Sequence, residues 1–263
     1  MYKLAVIGNP ISHSMSPTIF GMFARQCSID LVYDKILAND INGFNQIVTD
    51  FFKSGGLALN ITSPFKQDAF KIANIATARA KFCGAANFLR LDKAGDILAD
   101  TTDGIGLVKD IEQNQGFKLN GKNILILGSG FVLDSILLDL IQANPLSIDI
   151  LARNQPRMDY LKNKFGVGGF SQTTKYDFIL NTVPNTSENL LLSQIEELDI
   201  NAFCYDMAYS KFTEKQFYQY IKQINPQVNI SSGIGMLAEV SKVAFTQLFT
   251  KSPNTHQVIE DLT

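Results

Sequence analysis

Short strand-like runs alternate with helix signals almost from end to end of this chain, and that alternation restricts its fold more than any other feature. Runs 3–8, 31–37, 57–62, 85–91 and 97–101 are β-branched or apolar, and so are 123–128, 147–153, 177–183, 203–209 and 228–231. Each is bounded by Gly, Asn, Asp or Pro, the residues that end strands. Helical patterns fill the gaps at 41–52, 105–113, 132–143 and 236–250. The last of these carries Leu237, Val240, Val243, Ala244 and Leu248 on one stripe. Ser16-Pro17 predicts an N-cap followed by proline at the first helical position, opening a helix that runs to about residue 26. Regular β–α alternation predicts an α/β fold, with parallel sheets covered by helices. With 263 residues the chain has ample length for one large domain or two medium ones. The segment from Lys122 onward has the strand, glycine turn, helix, strand order of a self-contained nucleotide-binding half. A boundary is expected near Asp103-Gly104.

Composition excludes several functional classes. A formal charge of −2 argues against a dedicated nucleic-acid binder, which shows a basic excess. No apolar run approaches the ~18 residues of a membrane span. The opening Met1-Tyr-Lys-Leu-Ala-Val-Ile-Gly8 is too short an apolar run for a secretory signal and is expected to be the first strand. Cys27, Cys83 and Cys204 are odd in number and lack metal spacing, which fits core packing in a reducing cytoplasm. His13 and His256 are too few and too isolated for zinc, so no metal is expected.

Two polar blocks stand where a strand gives way to a helix, the position at which α/β proteins bind small ligands. The first is Gly8-Asn-Pro-Ile-Ser-His-Ser-Met-Ser-Pro17 and the second Asn60-Ile-Thr-Ser-Pro-Phe-Lys66. Ser14 and Ser16 offer hydroxyls to a carboxylate or serve simply as turn and cap residues. Lys66 lies in a strand-to-helix turn. Asp103 ends a later strand in Thr101-Thr-Asp-Gly104. If those strands lie side by side, carboxylate and ammonium meet, either as a structural salt bridge or as a pair that transfers a proton to a carbonyl oxygen. Tyr209 either lends a phenol to the same site or is an aromatic strand edge.

A glycine turn follows in Ile124-Leu-Ile-Leu-Gly128-Ser129-Gly130-Phe131. Glycines here let a backbone approach a pyrophosphate at a helix N-terminus, although a merely tight turn has the same spelling. A complete fingerprint has a small residue three positions after Gly130. This chain has Leu133 there, expected to obstruct close helix–strand packing, with Asp134 placing negative charge near the phosphate. The next strand ends in Arg153, with Arg157 one turn on, where an NAD site carries Asp or Glu. A guanidinium there suits a 2′-phosphate, and hence NADP, or is a solvated surface charge.

These blocks resemble the shikimate dehydrogenase family, as do Gly84-Ala-Ala-Asn87, Thr102-Asp-Gly-Ile-Gly106, Tyr205-Asp-Met-Ala-Tyr209 and Gly233-Ile-Gly-Met-Leu237. The resemblance implies a substrate-binding α/β domain over 1–103, completed by 233–263, and a Rossmann-type NADP-binding domain over 104–232. It implies reversible NADPH-dependent reduction of 3-dehydroshikimate to shikimate, in aromatic amino-acid biosynthesis. Ser14 and Ser16 would bind the substrate carboxylate, with further contacts from Thr62, Asn87 and Tyr209. Lys66 and Asp103 would form the catalytic pair and hold ring hydroxyls. Gly128, Ser129, Gly130, Phe131, Arg153, Met207 and Gly233 would line the cofactor. The chain is expected to work as a monomer or homodimer without nucleic-acid or membrane partners. It departs from the family at Thr101, in the glycine turn, around Arg153, and at Val240, where the family has a substrate-binding glutamine. Two alternatives therefore stand beside the main reading: a paralogue acting on quinate or a related cyclic hydroxy acid, and a binding protein that has lost cofactor use.

Overall fold

The computed structural model describes residues 1–184, 191–195 and 201–263. In chain order the first elements are β1 (Tyr2–Gly8), α1 (Ser16–Cys27), β2 (Leu31–Leu37), α2 (Ile41–Lys53), β3 (Ala58–Ile61) and α3 (Lys66–Ile72). They continue with β4 (Ile75–Ala76), α4 (Ala78–Cys83), β5 (Phe88–Leu91), β6 (Ile97–Asp100) and α5 (Asp103–Lys109). Next come β7 (Asn123–Leu127), α6 (Val132–Gln142), β8 (Ser147–Leu151), α7 (Gln155–Phe165), β9 (Gly168–Gly169) and β10 (Phe178–Asn181). The remainder is β11 (Phe203–Asp206), α8 (Gln216–Ile224), β12 (Ile230–Ser232), α9 (Ile234–Phe249) and α10 (Thr255–Leu262). Each expected strand is present, most with trimmed ends, 31–37 unchanged and 3–8 extended to Tyr2; β4 and β9 are too short to leave a sequence signal. The chain divides into two compact units, Met1–Gly106 with Leu237–Thr263, and Leu107–Met236.

The first unit is built on a sheet of order β2-β1-β3-β5-β6-β4. It is mixed, not parallel as expected: β5 runs antiparallel to both neighbours, β3 and β6. The connection from β5 to β6 is short, and a short connection permits only antiparallel pairing. Alternation along the strands divides the core between two faces. Ala5, Ile7, Leu59, Ile61 and Leu89 pack with Phe44, Val48 and Phe51 of α2. Leu4, Ala58 and Phe88 pack on the other face with Ile19, Phe20 and Phe23 of α1, Phe245 of α9 and Val258 of α10. Burying Phe245 completely stabilises by about 1.5–3 kcal/mol, which is why the C-terminal helices belong to this unit.

Two local expectations are corrected. Ser16 is not an N-cap: the Met15 carbonyl accepts the first helical bond, from the Ile19 N–H at 3.0 Å, so Met15 is the cap and makes no side-chain bond. The stripe on α9 holds at Leu237, Ala244 and Leu248 but gains Phe245 and loses Val243, which is half-buried outside that cluster, while Val240 is buried near Gly106 of α5.

The second unit has a sheet of order β12-β11-β10-β7-β8-β9 with every pairing parallel. The chain winds outward through β8 and β9, then returns to β10 and winds the other way. The switch point therefore lies between β7 and β10, where doubly wound sheets hold ligands beyond the strand ends. Its buried Tyr205 donates to Asp110 Oδ2 at 2.5 Å, and burial followed by that negative charge pushes the phenol well above its ordinary range. No helix among the described residues is long and apolar enough to cross a membrane, and they hold no acid, His or Cys cluster able to bind a metal. None of the three cysteines forms a disulfide.

Asp100, at the end of β6, ties the first unit together. It accepts from Arg79 Nε and Nη2 at 2.7 Å each, from Thr77 at 2.7 Å and from Gln247 of α9 at 2.8 Å. Burial alone would raise its carboxyl, but Arg79, Thr77 and Gln247 hold it below the usual carboxylate range. A carboxyl depressed in the folded state contributes stability that is present above its unfolded pKa and lost as pH falls through the folded one. Asp100→Asn is expected to cost about 2–4 kcal/mol at pH 7. Urea denaturation should show the gap from wild type closing below about pH 4, and a gap constant across that range would refute the assignment.

Candidate active site

Topology explains which side chains meet in the first unit. Lys66 opens α3 just beyond the carboxyl end of β3, and Asp103 opens α5 beyond the carboxyl end of β6. Those strands do not touch, contrary to the side-by-side arrangement that would have made them adjacent; β5 lies between them. Because β5 is antiparallel, the residue before it, Asn87, stands at the same edge of the sheet. Lys66 Nζ donates to Asp103 Oδ2 at 2.6 Å, and Asn87 Nδ2 donates to Oδ1 at 2.7 Å. The Thr102 N–H donates to Asn87 Oδ1 at 2.8 Å, which fixes the amide's orientation. Asn87 and Asp103 are buried, and the Lys66 side chain keeps 21% of its surface exposed. The arrangement is an ammonium at the surface of a buried carboxylate whose two oxygens are both occupied. It can present a proton at Nζ while Asp103 holds the ammonium in place. Thr101, where the family has asparagine, is wholly buried and its hydroxyl finds no partner among the described residues.

The serine block follows β1, the parallel neighbour of β3. Ser14 Oγ donates to Ser16 Oγ at 3.3 Å and accepts from the Ser16 N–H at 3.4 Å, so the two hydroxyls stand side by side. A residue missed in the sequence adjoins them: Tyr33 of β2 donates to Asn60 Oδ1 at 2.8 Å. Burial lifts the Tyr33 phenol far above its ordinary range, and a hydrogen bond with Ser16 pulls weakly the other way. Only the face assignment along β2 could have revealed it. Thr62 is half-buried, and its methyl packs so tightly on Gly8 that a side chain there would collide with it. Val240, in the position of the family's glutamine, is buried; a methyl group on Gly106 would overlap it and stand 2.7 Å from its backbone nitrogen. The neighbouring Glu239 is bonded to Thr255 at 2.5 Å, so it does not replace the glutamine.

The remaining candidates belong to the second unit and lie beyond the carboxyl ends of its parallel strands. Gly128 follows β7 in a left-handed conformation, φ +101°, and a side chain on it would stand 2.8 Å from Thr182 Oγ1. Gly130 has open space where a Cβ would sit. Phe131 is 68% exposed. Arg153 is exposed beyond β8, and Asn154 caps α7 by accepting from the Arg157 N–H at 3.0 Å. Met207 follows β11, and its carbonyl lies so close to Gly233 that only glycine fits there. Tyr209 is half-buried, and burial raises its phenol.

Two expectations about the turn are overturned. Leu133 does not obstruct packing; it is wholly buried in the core beneath α6. Asp134 does not leave a negative charge at the turn, because it is buried in an ion pair with Arg157 and accepts from Tyr160 Oη at 3.1 Å. Arg157 is correspondingly not a free surface guanidinium. That network left no motif to find, since its members are 23 and 26 residues apart.

Residues 6–89 match the family model described as the shikimate dehydrogenase substrate binding domain. The chain is 38% identical over 265 residues to the shikimate dehydrogenase (NADP(+)) of Legionella pneumophila, covering 99% of this chain and 98% of that protein. Among solved structures it is similar to an Ael1 enzyme from Pseudomonas putida, with TM-score 0.89 and 32% identity over 100% of this chain and 98% of that one. It shares its fold with a shikimate 5-dehydrogenase from Thermus thermophilus in complex with NADP(H) and shikimate, with TM-score 0.86 at 20% identity over 99% and 98% of the two chains. Identity carried through both units, and not through the first alone, shows that the chain belongs to the shikimate dehydrogenase family.

Proposed function

We propose that this chain catalyses the reversible NADPH-dependent reduction of 3-dehydroshikimate to shikimate in aromatic amino-acid biosynthesis. The observation that carries the proposal is the Lys66–Asp103 pair, 2.6 Å apart and oriented by Asn87. Ser14 and Ser16, with adjacent hydroxyls, donate to the substrate carboxylate. Thr62, Asn87 and Tyr209 add contacts to the substrate. Lys66 Nζ donates a hydrogen bond to the ring carbonyl oxygen and passes it a proton as the alcohol forms, and Asp103 keeps the ammonium aimed and receives a ring hydroxyl. In the reverse direction Lys66 takes that proton back.

The residues of the second unit fit a dinucleotide phosphate. Gly128 turns the backbone through a left-handed conformation, Gly130 leaves clear space above it, and the one acidic side chain in the first turn of α6 is neutralised by Arg157. Gly128, Ser129, Gly130 and Phe131 would hold the pyrophosphate, Arg153 the 2′-phosphate, and Met207 and Gly233 the nicotinamide half. When bound, NADPH supplies the hydride. The domain assignment follows: residues 1–103 with 233–263 bind substrate, and 104–232 bind NADP. The enzyme works in the cytoplasm, in keeping with three cysteines that form no disulfide, and acts as a monomer or homodimer.

Absorbance at the nicotinamide band, with shikimate and quinate each offered NADP and NAD, tests the whole reading; the fastest rate is expected for shikimate with NADP. Lys66→Ala should lower kcat by about 10²–10⁴-fold with an unchanged circular dichroism spectrum. A loss of less than a few-fold would remove Lys66 from the mechanism. Arg153→Ala should raise KM for NADPH about tenfold more than for NADH, a charged hydrogen bond's worth; equal effects would deny it the 2′-phosphate. Gly130→Ala should melt at nearly the wild-type temperature, having room for its methyl, yet bind NADPH more weakly. Unchanged affinity would place the pyrophosphate elsewhere.

A further inference from the structure

We infer that the Asp134–Arg157 ion pair is a positioning clamp for the glycine turn, one that sets the affinity for both dinucleotides and leaves recognition of the 2′-phosphate to Arg153. The inference rests on the NADP reading above and adds two residues to it. By sequence, Arg153 ends the strand after the glycine turn and Arg157 follows one helical turn on. The structure separates them. Arg153 is exposed, whereas the Arg157 side chain is only 14% exposed. One Nη of Arg157 donates to Asp134 Oδ2, and Nε donates to the Ser129 carbonyl at 3.1 Å. The guanidinium carbon lies over the rings of Phe131, at 5.2 Å, and Tyr160, at 4.6 Å. Asp134 is held in turn by Tyr160 Oη at 3.1 Å and lies 3.8 Å from Lys164 Nζ, which also donates to Tyr160 Oη at 2.8 Å.

Ser129 sits between Gly128 and Gly130, so its carbonyl belongs to the least restrained stretch of backbone in the turn. A charged donor on that carbonyl orders the turn before any ligand arrives. A turn ordered only on binding would weaken affinity by the cost of ordering it. The pair also ties the first turn of α6, which carries Asp134, to α7, which carries Arg157.

The test compares Asp134→Asn, Arg157→Met and the paired Asp134→Leu/Arg157→Met, which keeps apolar packing and leaves no buried charge without a partner. Two readouts are taken: the dissociation constants of NADPH and NADH by calorimetry, and amide exchange at Gly128 and Leu133 in the cofactor-free protein. Those amides bond to the Leu151 and Gly130 carbonyls. Every variant should weaken NADPH and NADH by a similar factor, about tenfold for the loss of one charged hydrogen bond, and both amides should exchange faster. The KM for shikimate should stay within about twofold. A well-folded paired variant that binds and exchanges like wild type would reduce the pair to ordinary packing and overturn the inference. So would a selective loss of NADPH in Arg157→Met, which would put that guanidinium on the phosphate. If the wild-type protein binds neither dinucleotide, the NADP reading fails, and amide exchange alone still decides whether the pair orders the turn.

Discussion

The ion pair between Lys66 and Asp103 is the interaction on which the functional architecture of the first unit depends, and Asn87 can brace it because one strand runs backwards. Were β5 parallel to its neighbours, its first residue would lie at the opposite edge of the sheet, and Asn87 could not reach Asp103. In the observed order, the ends of β3 and β6 and the start of β5 share one edge. Asn87 then satisfies one carboxylate oxygen while Lys66 satisfies the other. A carboxylate this deeply buried costs several kcal/mol to desolvate, and its two partners offset that cost. The same carboxylate is what holds the ammonium at the surface, where it can work on a carbonyl.

Packing around that edge follows the same logic. Asp100, three residues before Asp103, gathers Arg79, Thr77 and Gln247, and Gln247 comes from α9 near the far end of the chain. Glu239 and Thr255 join α9 to α10. The phenylalanines of α1 and α9 fill the space between. Gly106 and Val240 show why side-chain size matters where α5 and α9 meet. Glycine on one helix lets the other approach to backbone contact, and the valine fills the place where the family carries a longer, polar chain.

In the second unit the departures from the family compensate one another. A leucine after the glycine turn and an aspartate beside it each read as defects when taken singly. In three dimensions the leucine is core and the aspartate is one half of a buried pair whose other half braces the turn. An arginine that sequence alone offers to a phosphate is instead internal machinery. Local sequence rules fail at a site of this kind because the partners come from different helices, α6 and α7.

Local patterns along the chain were enough to establish its elements and its chemical inventory. Period-two runs and turn residues located the strands, and the polar residues at strand ends located Ser14, Ser16, Lys66 and Asp103, since both signals are local; Asn87 was offered by the family resemblance. Whatever depends on which strands become neighbours was settled by folding. That includes the pairing of β5 with β3, the place of Tyr33 beside Ser16, and the fate of Asp134 and Arg157. These are non-local pairings, chosen by how whole faces bury and how buried charges find partners, and no window of sequence contains both members of such a pair.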